Sequence, residues 1–456
     1  MASLYKVFLK NIKKYPNKIF INDLKSSYNG FDCLKKLEYL RKFIRLNKIN
    51  ILGIKSSNSI NWILWYLAGD SYNKKIFLIK NDTEKKILDK IIKKNNIDYL
   101  AKEIPAKINI KLKNINKTKS IRKDILFTSG TINLPKGVII KENSYIHVAK
   151  ILSKELKQNK NDTELLSMPF DHSFGLVRLR CCILRGTKIL VTDGLKNFPE
   201  IFKFSQDNNL TGLSLVPSGL ALIKILLKNK VNLFSKKLKY FEIGSSFINQ
   251  DKRAWLKKNF LYTKILHHYG MTEASRSFLV ERGIGDNLNN TNNKIGKIIS
   301  GCKFKILRKN TTNGELLLKG KNLFEGYLAK EQNNAKFING WFRTGDIVKK
   351  KGQDLYLMGR VDNQFNIGGN KVQAEMIEDM IESISYVNKC LCFTLSDEIY
   401  GNRLGLKISK KNNIKKNKLI KIIKKNLSKL PDFYMPKEIL FKKIQLTKNG
   451  KKNRNL

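Results

Sequence analysis

Histidine and cysteine, the common ligands of transition metals, are scarce in this chain. There are four histidines. The six cysteines, Cys33, Cys181, Cys182, Cys302, Cys390 and Cys392, form no C-x-x-C pair and no ladder of spacings. A zinc site is therefore not expected, and the thiols read as reduced cytosolic thiols. Long apolar runs are also lacking. The nearest case, residues 60–68, is too short to span a bilayer and reads as a buried helix. The opening MASLYKVFLKNIKKYP scatters lysines through its length and does not read as a secretory signal. It reads as a short amphipathic helix with Leu4, Val7, Phe8 and Ile12 on one face. These absences predict a cytoplasmic protein with no transmembrane segment.

Acidic residues are few. Lys+Arg number 89 against 37 Asp+Glu, a formal net charge of +52. Such an excess invites a nucleic-acid reading. However, the lysines are spread along the whole chain among Ile and Asn, as AT-rich drift alone would produce, and no RNP-like aromatic pattern accompanies them. Dedicated nucleic-acid binding is not expected. The field would still draw in nucleotides, CoA-like phosphates or an acidic carrier protein. Residues 407–429 carry only positive charge and read as a solvated helix face.

What is present suits a large globular protein. The 456 residues are 42% hydrophobic, and the length allows roughly three compact units. Strand-like segments at 49–54 and 75–79 alternate with helix-like ones at 58–69 and 83–95, which predicts α/β layers with parallel strands. Further strands are expected at 187–191, 212–216, 240–243 and 264–268. From about residue 294, short strands and turns predict a small β-rich subdomain. After Gly359 a further unit is expected, with strands at 389–395 and 404–408 and a lysine-rich helix near 417–430. The predicted division is an N-terminal domain over 1–359 and a small α+β C-terminal domain over 360–456.

One segment carries chemistry on its face. Residues 125–140 read ILFTSGTINLPKGVII. Two apolar strands joined by a loop rich in hydroxyls and glycine, with one lysine, make a phosphate cradle. Hydroxyls and backbone N–H groups donate to phosphate oxygens, glycine admits close approach, and lysine supplies charge. The order Pro135-Lys136-Gly137 is not the Gly-Lys-Ser/Thr of the common P-loop. An ordinary hairpin turn is the plain alternative. Further on come PFDHSFGL at 169–176, YGMTE at 269–273, WFRTGD at 341–346, GRVD at 359–362 and NGK at 449–451. Taken singly, each has a plain alternative, such as a turn or a carboxylate near a helix N-terminus.

In this order and spacing the motifs resemble the ANL superfamily of adenylate-forming enzymes, which includes acyl-CoA synthetases, peptide-synthetase adenylation domains and luciferases. The resemblance covers nearly the whole chain. It implies ATP-dependent activation of a carboxylic acid to an acyl-adenylate, release of pyrophosphate, and transfer to the thiol of CoA or of a carrier-protein phosphopantetheine. Thr128, Ser129, Gly130, Thr131 and Lys136 would hold the β- and γ-phosphates. Thr272 would contact the α-phosphate, and Glu273 would hold Mg²⁺. Tyr269 would stack near adenine, with Asp346 and Arg360 at the ribose. Lys451 would bridge the carboxylate and the α-phosphate. His172 would stand at the mouth of the acid pocket, with Gly244, Ser245 and Gly270 lining it. Asp362 would be the hinge of a mobile C-terminal domain that also brings Gly368, Gly369 and Asn370 to a thiol tunnel. Arg178 and Arg276 read either as partners for a second acidic group on the substrate or as surface arginines.

The chain departs from the family in three places. Ile132 and Asn133 stand where Thr-Gly is usual, and Gly244-Ser245-Ser246-Phe247 stands for Gly-Gly-Ala-Pro. The region before the phosphate loop is short, which predicts a trimmed N-terminal subdomain. The alternatives are a stand-alone amino-acid adenylation enzyme loading a carrier protein, and a nucleotide-binding homologue with little turnover.

Overall fold

The structure is a computed structural model, and it describes residues 3–107, 122–128, 135–227, 230–245, 248, 250–288, 293–308, 313–329, 331–334, 336–361, 364–411, 414–442 and 444. The fold is α/β, as the alternation of strand and helix periods predicts. One sheet of six strands runs Gly326–Tyr327, Lys136–Lys141, Lys123–Thr128, Lys75–Leu78, Ile51–Ile54 and Tyr99–Ala101. The last four of these are parallel, and Lys123–Thr128 turns back antiparallel into Lys136–Lys141. A second sheet of nine strands has parallel pairing through Ile19–Asn22, Lys188–Val191, Thr163–Leu166, Gly212–Leu215, Tyr240–Ile243 and Lys264–Met271. Ala274–Arg282 then pairs antiparallel with Lys264–Met271.

Helices fill the space beside these sheets. The largely buried helix Ile60–Ser71 starts at Ser59, whose hydroxyl accepts from the Trp62 amide. The opening helix Leu4–Lys14 buries Leu4, Tyr5, Phe8 and Ile12, so Tyr5 takes the place expected of Val7. Helix Ser173–Arg185 ends on Gly186, which adopts the left-handed conformation (φ 64°) that glycine takes without strain. A buried ion network ties the phosphate-loop strand to both helix layers. Arg122 meets Asp70 at 2.8 Å and also contacts Asp124, and Arg180 and Tyr66 converge on the same Asp124 carboxylate.

A third sheet, centred on Cys302–Arg308, Asn313–Gly320 and Trp341–Lys351, forms the β-rich part expected after residue 294. Residues from Gln364 onward build two further sheets and an apolar cluster of their own, from Ile367 to Tyr434. Its strands Val387–Asp397 and Gly401–Lys410 contain the two expected there. The helix expected near 417–430 is Lys416–Leu427, and it stops at Ser428, three residues before Pro431. No helix among the described residues is long and apolar enough to cross a membrane.

Candidate active site

The phosphate-loop reading predicts two strands and a connecting turn, and both strands are present. Thr128 and Lys136 are the last cross-strand pair of the hairpin. Both therefore stand at the mouth of the loop. Ser129, Gly130 and Thr131, with the departures Ile132 and Asn133, lie outside the described residues. On the outer edge, Tyr327 pairs with Val138. That register brings the Tyr327 ring to 5.9 Å from the Lys136 ammonium. The Tyr327 hydroxyl donates to Glu273 Oε1 at 3.0 Å. Three segments distant in sequence thus meet around Tyr327.

Thr272 and Glu273 occupy the turn between Lys264–Met271 and Ala274–Arg282, not a helix N-terminus. The Phe324 amide donates to the Glu273 carbonyl at 2.8 Å, and Tyr145 donates to the Thr272 carbonyl at 3.1 Å. Glu273 is 8% exposed. Its Oε2 is buried and has no hydrogen-bond partner among the described residues. A buried carboxylate oxygen left without a donor costs free energy unless a cation takes it. An oxygen ligand of this kind suits Mg²⁺, so the residues present fit that ion. Burial, with Glu273 beside it, raises the Tyr327 pKa and keeps the phenol a donor.

Asp346 is aimed by a bulge. The register slips between Glu315 and Leu317 opposite Trp341–Lys351, and Gly345 takes φ 75°. Thr344 Oγ1 bonds back to the Leu316 carbonyl and accepts from the Asp346 amide at 3.0 Å. Arg360 is the cross-strand partner of Asp346, and its guanidinium meets Oδ1 at 2.9 Å. The Tyr269 hydroxyl donates to Oδ2 at 2.5 Å. Each carboxylate oxygen can accept more than one bond, so ribose hydroxyls remain acceptable there. Tyr269, Asp346 and Arg360 are therefore together, as the resemblance implies.

His172 and Asp171 precede helix Ser173–Arg185. The His172 imidazole is 47% exposed and lies 3.6 Å from Asp171 Oδ1. The surrounding protein wall and Lys80 lower its pKa toward the neutral form, and contact with water limits that effect. Asp171 Oδ1 is buried without a hydrogen-bond partner among the described residues. Burial pushes the Asp171 carboxyl up to about 6. Gly244 follows strand Tyr240–Ile243, and Ser245 comes next at φ 83°. Gly270 lies so close to Arg276 that a Cβ there would sit 2.4 Å from the Arg276 amide.

The expectation for Arg178 and Arg276 is overturned. Both are fully buried and neither is at the surface. Arg178 pairs with Glu164 at 2.5 Å, and Arg276 pairs with Glu242 at 3.1 Å. Their charges are matched within the protein, which leaves no call for a second acidic group on the substrate. Tyr327, Glu242 and His268 went unread in the sequence. Tyr327 acts through strand register, which no local string encodes. The Glu in YFEI, inside an otherwise apolar strand, was the available sign for Glu242.

The C-terminal residues reach this same region. Asn366 Nδ2 donates to the Ser245 carbonyl, and Lys252 Nζ donates to the Glu398 carbonyl. A Cβ on Gly369 would sit 3.4 Å from Ser245 Oγ. Lys451 and Asp362 lie outside the described residues.

Comparison with known proteins speaks to family and fold. The family model for AMP-binding enzyme matches residues 78–328. The chain is 26% identical over 353 residues to an acyl-CoA synthetase, ALT10, of Alternaria alternata, a match covering 70% of this chain and 61% of that one. It is 27% identical over 368 residues to a 2-succinylbenzoate–CoA ligase of Staphylococcus aureus, covering 79% and 71%. In three dimensions it resembles a double mutant of o-succinylbenzoate CoA synthetase from Bacillus subtilis bound with its product analogue. That likeness has a TM-score of 0.78 at 17% identity, covers 100% of this chain and 97% of that one, and speaks to fold. The chain spans less than two thirds of the first of these relatives.

Proposed function

Because the chain belongs to the AMP-binding enzyme family, matched over residues 78–328, we propose that it activates a carboxylic acid with ATP and passes the acyl group to a thiol. The acid's carboxylate attacks the α-phosphate, forming acyl-adenylate and releasing pyrophosphate. The thiol sulfur then attacks the acyl carbon and AMP leaves. The thiol is CoA or the phosphopantetheine of a carrier protein.

The observation that carries this reading is the buried Glu273 Oε2 without a partner among the described residues, on a carboxylate held by Tyr327, whose ring also neighbours Lys136. Both reactants are anions, so catalysis rests on neutralising and positioning charge. Glu273 would hold Mg²⁺, which supplies charge neutralisation at the phosphates. Thr128 and Lys136, with Ser129, Gly130 and Thr131, would grip the β- and γ-phosphates. Thr272 would face the α-phosphate. Asp346, oriented by Tyr269 and Arg360, would accept from the ribose hydroxyls, and Tyr269 would lie at the adenine. His172, Gly244, Ser245 and Gly270 would line the acid pocket. Lys451 would enter for adenylation, with the division of domains near residue 360 and Asp362 as hinge. The contact between Gly369 and Ser245 supports a thiol step served by the C-terminal part. A cytoplasmic location is part of this proposal, in keeping with the free cysteines.

One observation favours a second reading, activation of an amino acid for a carrier protein. The unpartnered Asp171 Oδ1 beside His172 would suit a substrate ammonium. Pyrophosphate exchange with Mg²⁺ over a panel of acids and amino acids tests both. Exchange with a simple acid is expected. Exchange with amino acids alone would replace the first reading with the second. Tight ATP binding with no exchange for any acid would leave a nucleotide-binding homologue.

A further inference from the structure

Resting on acid activation as proposed above, we infer that the acid is compact, and that a buried floor of Glu242, His268, Arg276 and Phe174 sets its length. Strand Tyr240–Ile243 alternates its faces. Phe241 and Ile243 join the apolar core on one side. Glu242, on the other, meets His268 Nδ1 at 2.7 Å, Arg276 Nε at 3.1 Å and Arg178 at 3.4 Å. The Arg276 guanidinium also donates to the carbonyls of Ser173 and Phe174, at 2.7 and 2.9 Å, which anchors the start of helix Ser173–Arg185. It lies 4.9 Å from the Phe174 ring. Phe174 in turn stands edge-on to His268, with ring centroids 4.8 Å apart.

These side chains lie between the start of helix Ser173–Arg185 and Gly244. Glu242 is 0% exposed, Arg276 1%, Phe174 7% and His268 8%. The His268 ring lies hard against Gly244, where an added Cβ would come within 1.9 Å of it. An acyl tail entering between His172 and Gly244 therefore meets a wall. The wall is also chemically wrong for an alkyl chain. Methylene groups gain little against paired charges, and pushing one charge aside strands its partners in a buried site. A long tail has no inexpensive path through the cluster. Arg276 holds a left-handed backbone (φ 45°) as well, so three hydrogen-bonded contacts and a strained residue would move together.

Pyrophosphate exchange on the full chain, with straight-chain acids from acetate to palmitate and with small hydroxy and amino acids, tests this. The rate should peak at about four carbons or fewer and fall by about tenfold or more by octanoate. His268→Ala, which vacates the space beside Gly244, should move the peak toward longer acids. Phe174→Ala reads the same shift should His268→Ala fail to fold. A wild-type peak at octanoate or beyond overturns the inference and leaves acid activation standing. An unchanged length profile in a folded variant removes the floor from that role. Exchange with no acid of any length overturns the acid-activation reading and this inference with it.

Discussion

Glu273 is where a single atom decides most. Oε1 is satisfied by Tyr327 and Oε2 has no partner among the described residues. Glu273→Gln keeps the shape and one acceptor but removes the charge. Pyrophosphate exchange should fall on the order of 10²–10³, and the magnesium titration should move to higher concentration. An unaltered magnesium dependence would take the ion away from this residue. Asp171 makes a different prediction, about pH. Burial is the main cause of its raised pKa, with Asp82 and Asp193 adding to it and Lys80 opposing. The folded chain thus holds a proton that the unfolded chain has released between the ordinary value of 3.8 and about 6. Stability from this group rises as pH falls through 6, and the gain is complete below the ordinary value. A shift of that size corresponds to roughly 3 kcal/mol at neutral pH. Asp171→Asn should raise the melting temperature at neutral pH and flatten its dependence between about pH 4 and 6. A variant that melts lower at neutral pH would mean that the charged form has a partner. At this scale the sequence was readable wherever a residue type was odd for its surroundings. Glu273 and Asp346 follow a threonine and a glycine in short polar strings. Arg178 and Arg276 were misread, although a sign existed. Most of the 89 basic residues are lysine, yet Arg122, Arg178, Arg180, Arg253, Arg276 and Arg282 are all buried. A planar guanidinium can satisfy two buried oxygens at once, where an ammonium serves poorly. An arginine kept in a lysine-rich chain marks such a pairing.

The helix Ser173–Arg185 and the turn before it show how elements place the site. Gly175 lets the helix press onto that turn. A Cβ there would lie 2.2 Å from the Pro169 carbonyl oxygen and 2.4 Å from that of Met168. Gly175→Ala should push the helix away from the turn that carries Asp171 and His172. The expected loss is about 1–3 kcal/mol, read from the urea midpoint, with a fall in exchange rate. Unchanged stability would mean that the turn yields freely. The parallel strands and their helices were legible because each apolar run ends in polar punctuation. Strand Lys264–Met271 ran three residues past its expected end, because Tyr269 pairs with Phe278 across the sheet. The bulge at Gly345 was not legible as a bulge, since Thr-Gly-Asp reads equally well as a turn. It takes the register of the facing strand to fix that residue's direction.

Across the whole molecule, the C-terminal residues meet the rest through Asn366, Gly369 and Glu398, at Ser245 and Lys252. Asn366→Ala together with Lys252→Ala should loosen that contact. Loss of two such bonds is expected to slow thiol transfer from a supplied acyl-adenylate by about tenfold, while pyrophosphate exchange stays near wild type. Equal loss in both half-reactions would mean that the contact only holds the fold together. The sequence suggested a separate C-terminal unit through its change in strand pattern. It could not say where that unit rests, because Ser245 and Asn366 are 121 positions apart. The use of arginine in the buried ion networks has one more consequence under the proposed reaction. An acyl-adenylate is an electrophile, and amines are its natural targets. Guanidinium groups, protonated at all working pH values, are not nucleophiles. Adenylate that escapes before a thiol arrives meets an exterior crowded with amines, while the arginines of the buried ion networks stay inert. Incubated with acid and ATP and starved of thiol, the chain should acylate itself, on its exposed lysines and not on its buried charge networks, and peptide mass mapping would show where.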